Sequence, residues 1–199
     1  MPTTAFTKDG EEFQETSFRL SPERFEELNK ILSLYIGTKN YHNFTIRKES
    51  HDPSAKRHII KFVSDLPFVP DNTEVEFVRL RINGQSFMMH QIRKMVALVI
   101  AIMRGYKEPG FIEQAVQKDR FLIPQAPGLG LVLDNVHYTR YNERYGSDGV
   151  HQALVFEEED EEIEKFFRDN IMSTIIETEL RDTPMMDWIG RLRNHCYDY

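Results

Sequence analysis

A chain of 199 residues that is 40% apolar and 12% aromatic can bury one sizeable core and does not read as disordered. A single cysteine, Cys196, excludes an internal disulfide framework and a thiolate-rich zinc site. The longest apolar run, around Met95 to Met103, is too short to span a bilayer, and no secretory signal follows Met1.

The formal charge of -7 argues against a nucleic-acid binder, but its distribution changes that reading. Lys39 to Arg120 carries 14 Lys/Arg against 9 Asp/Glu, whereas Tyr141 to Tyr199 carries 6 against 15. A basic middle can attract phosphates even in an acidic chain. The alternative is two solvated faces of opposite sign.

In chain order, residues 1–17 read as a polar, irregular entry. Ser21 is expected to cap a helix, with Pro22 at its first position and Glu23 in the first turn. Phe25, Leu28, Ile31, Leu32 and Tyr35 follow at helical spacing, and Gly37 is expected to close the helix. Gly37 to Thr45 reads as a polar and aromatic loop, and Arg57 to Val63 as a strand. Leu66 to Asp71, with two prolines, reads as a connection. Glu74 to Ile82 reads as a strand with a bulge where the apolar phase slips by one residue. Asn83-Gly84 predicts a type I′ hairpin turn, with Gln85 to Met88 as the return strand.

His90 to Arg104 predicts a helix apolar nearly all round, and Pro109 to Lys118 a short amphipathic one. The Pro124 to Gly128 loop is expected to lead into a strand from Leu129 to Tyr138. Tyr141 to Gly149 reads as a loop. Glu157 to Leu180 predicts a helix whose Glu-rich start suits the positive end of the helix dipole, with Phe166, Phe167, Ile171 and Ile175 buried. Thr183-Pro184 begins a last helix with Met185, Trp188, Ile189 and Leu192 inward. The interleaved pattern favours an α+β fold, an antiparallel or mixed sheet with helices on one face and a C-terminal helical extension.

Arg93 is the most informative residue for chemistry. It lies in the first turn of an almost wholly apolar helix, beside Lys94, and the next charge is Arg104. The helix dipole opposes a cation there, and a buried guanidinium without a partner is costly. A facing carboxylate or phosphate removes both objections, and the planar fork of arginine suits either. A structural salt bridge or a snorkelling side chain remains open. Tyr41, His42, Asn43 and Phe44 gather donors, acceptors and rings that could stack on and hydrogen-bond an unpaired base, or simply cap neighbouring elements. His42 has no identifiable Ser or Cys nucleophile to serve, and the scattered histidines suggest no metal site. The Pro124 to Leu129 loop could let backbone approach a ligand closely or be only a tight connection. It is not a phosphate-binding loop, because the glycine-rich span ending in Gly-Lys-Ser/Thr is absent.

Three segments, in order, carry a resemblance to a known family. Phe87-Met88-Met89-His90-Gln91-Ile92-Arg93-Lys94-Met95-Val96 resembles the aromatic, histidine and arginine block of the tRNA pseudouridine synthase A family. Pro124-Gln125-Ala126-Pro127-Gly128-Leu129-Gly130-Leu131, followed by Val136-His137-Tyr138, resembles its closing Pro/Gly/Leu strand. Gly37 to Thr45 resembles the loop before the central sheet of its eukaryotic, fungal-type members.

The resemblance implies an α+β fold of two related halves around an RNA cleft. It implies a reaction, without metal or organic cofactor, that detaches uracil from C1′, rotates it and rejoins it through C5. A catalytic aspartate starts that reaction, and the arginine matched by Arg93 pairs with it. Lys39, Tyr41, His42, Asn43, Phe44, His90 and Lys94 become RNA-contact candidates, and Leu129 and Leu131 candidates to line the base pocket. The partners implied are tRNA and other structured RNA, in the nucleus, with no membrane.

The family's aspartate lies in an Arg-Thr-Asp loop, and no Arg-Thr-Asp occurs in these 199 residues. Asp65, Asp71 and Asp134 stand in other contexts. The chain is therefore expected to be a C-terminal portion, inactive alone, that completes its site with the N-terminal half of the same enzyme. Residues 1–140 would be part of the catalytic domain and 141–199 an acidic helical extension packed on it. The rival readings are a non-catalytic RNA-binding module and a protein-interaction domain acting through the acidic tail.

Overall fold

The computed structural model describes residues 18–71, 73–155 and 160–198. They fall into two compact units: residues up to Pro127 together with Met185 onward, and Gly128–Pro184.

The first unit begins with α1 (Pro22–Ser33), where the Ser21 hydroxyl accepts from the Arg24 N–H as expected of the cap. The helix stops at Ser33, earlier than Gly37. Gly37, at φ 99°, instead starts strand β1 (Gly37–Asn40), a conformation that glycine adopts without strain. Strand β2 (Lys56–Ser64) pairs antiparallel with β1 and with β3 (Leu80–Gly84), so the sheet order is β1-β2-β3. The sheet bears out an α+β class. Ile59 and Phe62 point into the core while Ile60 is exposed, because the register slips between Ile59 and Lys61. The irregularity thus lies on β2, not in the later strand where the apolar phase suggested it.

Two expectations around β3 are corrected. The strand expected over 74–82 forms its ladder only from Leu80; before that, Phe77 makes one isolated bridge with Phe68. Pro67 and Pro70 flank that partner and have no N–H to extend the pairing. Asn83 and Gly84 are not a hairpin turn: they pair with Lys61 and Ile59 inside the ladder, and 85–88 forms no return strand. Any larger residue at 84 would be tight. A Cβ there would lie 3.0 Å from both the His58 carbonyl oxygen and the Phe87 ring.

Helix α2 (Gln91–Met103) buries Met95, Ala97, Leu98, Val99, Ala101 and Ile102 and packs against α1, which lies on β2. The short α3 (Phe111–Ala115) adds Phe111 and Ile112 to this core.

In the second unit, 129–138 forms no strand, because no neighbouring segment among the described residues offers it a ladder. Thr139–Tyr145 is helical (α4) where a loop was expected. The long acidic helix appears as α5 (Asp160–Phe166), a π-helical stretch at Phe167–Met172, and α6 (Ser173–Asp182). Residues 157–159 of that expectation lie outside the described residues. Its anticipated buried face is not buried, and Phe166 is 61% exposed. The last helix, α7 (Pro184–Leu192), returns to the first unit, where Ile189 and Leu192 are buried as expected. Among the described residues no helix is long and apolar enough to cross a membrane.

Candidate active site

Helix α2 starts abruptly. His90 takes up a left-handed conformation (φ 66°) and caps nothing with its half-buried side chain. The turn is fixed by its neighbours. The buried Gln91 accepts the Met88 N–H at 2.9 Å through its side-chain oxygen, and the Thr45 hydroxyl donates to the Met89 carbonyl at 2.9 Å. Lys94, one turn on, points toward the 42–45 segment and donates to the Asn43 and Thr45 carbonyls at 3.2 and 3.1 Å. Burial, with a smaller contribution from Arg120, holds its ammonium below the usual lysine range.

Arg93 takes a different course. Its Nε donates to the Ala126 carbonyl at 2.7 Å, and the Ala126 N–H returns a bond to the Arg93 carbonyl at 3.3 Å. With the Gln125 amide oxygen turned toward the guanidinium, that oxygen accepts from Nη1 at 2.8 Å and Nη2 at 2.9 Å. The opposite amide orientation would set N–H donors against N–H donors. Half-buried and held on three donors, the guanidinium has only neutral acceptors and no carboxylate among the described residues. Among the described residues its positive charge is therefore oriented but not neutralised.

The segment expected to display rings and polar groups turns inward. His42–Phe44 forms a 3-10 turn, and Tyr41, His42, Asn43 and Phe44 are each at most 2% exposed. The Tyr41 hydroxyl donates to the Tyr35 carbonyl at 2.6 Å, and the Tyr41 and Phe44 rings meet edge to face. Asn43 donates to the Ala115 and Asp119 carbonyls and accepts the Phe121 N–H, which ties this turn to the end of α3. His42 Nε2 lies 3.2 Å from the same Asp119 carbonyl. All four side chains are thus engaged within the first unit. Lys39 lies half-buried in β1 opposite Arg57. Leu129 is half-buried and Leu131 is 48% exposed, both in the second unit.

Of the sequence candidates, then, Lys94 and the 41–45 segment are brought together, and Arg93 is joined to the Pro124–Pro127 loop. Gln125 and Ala126 were missed as partners of Arg93. The signal was present, since that loop stood out for close backbone approach, but its target lies 33 residues away in sequence. Asp65, set aside as a reacting group, is engaged by Arg79 Nε at 2.5 Å and Arg81 Nε at 3.0 Å. No group of three or more potential metal ligands occurs among the described residues.

The model of the tRNA pseudouridine synthase family matches residues 31–139, which run from the last residues of α1 to the first residue of α4 and include Arg93, Gln125 and Ala126. The chain belongs to the tRNA pseudouridine synthase family. It is 43% identical over 197 residues to the human pseudouridylate synthase 1 homolog, covering 99% of this chain and 46% of that protein. It is 42% identical over 154 residues to tRNA pseudouridine synthase 1 of Yarrowia lipolytica, covering 75% and 28%. With the Kluyveromyces lactis tRNA pseudouridine synthase 1 it shares 34% over 194 residues, covering 92% and 35%. The chain spans about half the length, or less, of these curated relatives. Helices α5 to α7 lie beyond the family match but within the segment aligned to the human pseudouridine synthase.

Proposed function

We propose that this chain supplies the arginine-bearing part of a site that converts uridine to pseudouridine in tRNA and other structured RNA, in the nucleus. In that reaction the bond between uracil and C1′ breaks, the base turns, and C5 bonds to C1′. The reading rests on family membership and above all on Arg93, a cation fixed by neutral acceptors inside a family-matched segment. Such a group suits a carboxylate approaching from outside these residues. A neighbouring cation lowers a carboxyl pKa and keeps the reacting group ionised. The aspartate would come from an Arg-Thr-Asp loop, which this sequence does not contain, carried by an N-terminal half of the same enzyme. The uridine would have to leave its stack to reach it.

The test is tritium release from C5-labelled tRNA. No release is expected from the 199-residue chain alone. Release is expected when the chain is joined to the Arg-Thr-Asp-bearing half of a relative. Turnover by the chain alone would contradict the division of the site. Salt-sensitive tRNA binding with no turnover in the joined protein would favour the non-catalytic RNA-binding module.

A further inference from the structure

We infer that Gln125 and Ala126 are positioning residues, which set the direction of the Arg93 guanidinium while leaving its charge available to a reacting carboxylate. The inference rests on the role proposed for Arg93. Three features carry it. The first is the geometry: the Ala126 carbonyl takes Nε–H at 2.7 Å, and the Gln125 amide, in the orientation that does not set N–H donors against N–H donors, places its oxygen between the two terminal nitrogens at 2.8 and 2.9 Å. A guanidinium has five N–H donors, so three are consumed and one remains on each terminal nitrogen.

The second feature is the stiffness of the holder. Ala126 is 2% exposed, Pro124 is buried, and prolines on both sides of Gln125-Ala126 restrict the backbone. The bond from the Ala126 N–H to the Arg93 carbonyl fastens this loop to the first turn of α2, whose next turn is anchored by the fully buried Met95 and Leu98. Loop and arginine therefore move as one piece.

The third is charge. An acidic residue at 125 would form an internal ion pair and cancel the field that a carboxylate partner needs. A neutral amide orients the cation without that loss. Holding a catalytic group in one direction is a recognised source of rate, and small misplacements are costly.

The test has two arms. In the 199-residue chain, nitrogen-15 NMR of arginine side chains should show separate, slowly exchanging Nη proton signals for Arg93, which merge in Gln125→Ala. Merged signals in the unsubstituted chain would overturn the inference and leave the proposed function standing. In the joined, active enzyme, Gln125→Ala should lower kcat about 10-fold with little change in KM for tRNA. Gln125→Glu should lower kcat about 100-fold, without loss of thermal stability. Its acid limb in the pH profile of kcat/KM should move to higher pH, because the reacting carboxylate loses its cation. Equal losses in both variants, matched by a fall in Tm and an unmoved pH profile, would make Gln125 a structural residue and overturn the inference. If Arg93→Ala itself keeps full turnover, the proposed function fails instead.

Discussion

The two units use similar apolar residues to opposite effect. In the first, Leu32, Tyr35, Tyr41, Phe44, Ile59 and Met95 have no exposed surface, and even the polar side chains of His42, Asn43 and Gln91 are enclosed. In Gly128–Pro184, no residue whose burial is described is buried, and Leu133 is 79% and Phe166 61% exposed. Apolar spacing marks a face that gains from being covered. It does not say that anything in the same chain covers it. The arginine that carries the proposed chemistry is fastened within the well-packed unit, where a fixed direction can be maintained.

Phe44→Ala gives the largest expected effect on this contrast. It removes a fully buried ring that contacts Tyr35 and Tyr41, and should cost about 3–5 kcal/mol in urea unfolding. A loss below about 1 kcal/mol would mean that the first unit is not packed as described.

Asp65→Asn comes next. Burial opposes ionisation of Asp65, but the Arg79 and Arg81 guanidiniums outweigh it and hold the carboxyl below its ordinary 3.8. The sign follows from the lowered folded-state value: the ion pairs add stability above about pH 4 and lose it as pH falls through the folded pKa. With about a third of the side chain exposed, roughly 1 kcal/mol at pH 7 is expected. The variant should show a smaller difference between unfolding at pH 7 and at pH 3 than the unsubstituted chain. An identical difference would remove Asp65 from the account of acid stability.

Phe166→Ala should change stability least, within about 0.5 kcal/mol, since an exposed ring is lost and alanine favours the helix. A cost approaching that of Phe44→Ala would erase the contrast between the units.

The same contrast explains what could be read from sequence. Helices α1 and α2 were legible because the Ser21-Pro22 cap and the apolar spacing coincide with real burial. Strand β1 was not, because Gly-Thr-Lys-Asn has no strand-favouring pattern and is a strand only through its pairing with β2. The reverse happened at 129–138, where a strand-like composition met no ladder. Asn83-Gly84 carried a strong local turn signal that long-range pairing overrode.

At the site, Arg93 stood out as one of two charges in the first turn of a greasy helix. The Pro124–Pro127 loop stood out for close approach, but nothing in the sequence tied it to Arg93, 33 residues away from Ala126. Tyr41 to Phe44 were recognisable as a cluster, but composition says nothing of direction, and all four side chains turned inward.

The most direct measurement compares turnover and tRNA affinity for Arg93→Ala in the joined, active enzyme. A guanidinium that holds the reacting carboxylate predicts a loss of about 100-fold or more in kcat with tRNA affinity nearly unchanged. Equal losses in turnover and affinity, with a shallower salt dependence of binding, would make Arg93 a phosphate contact and contradict the account.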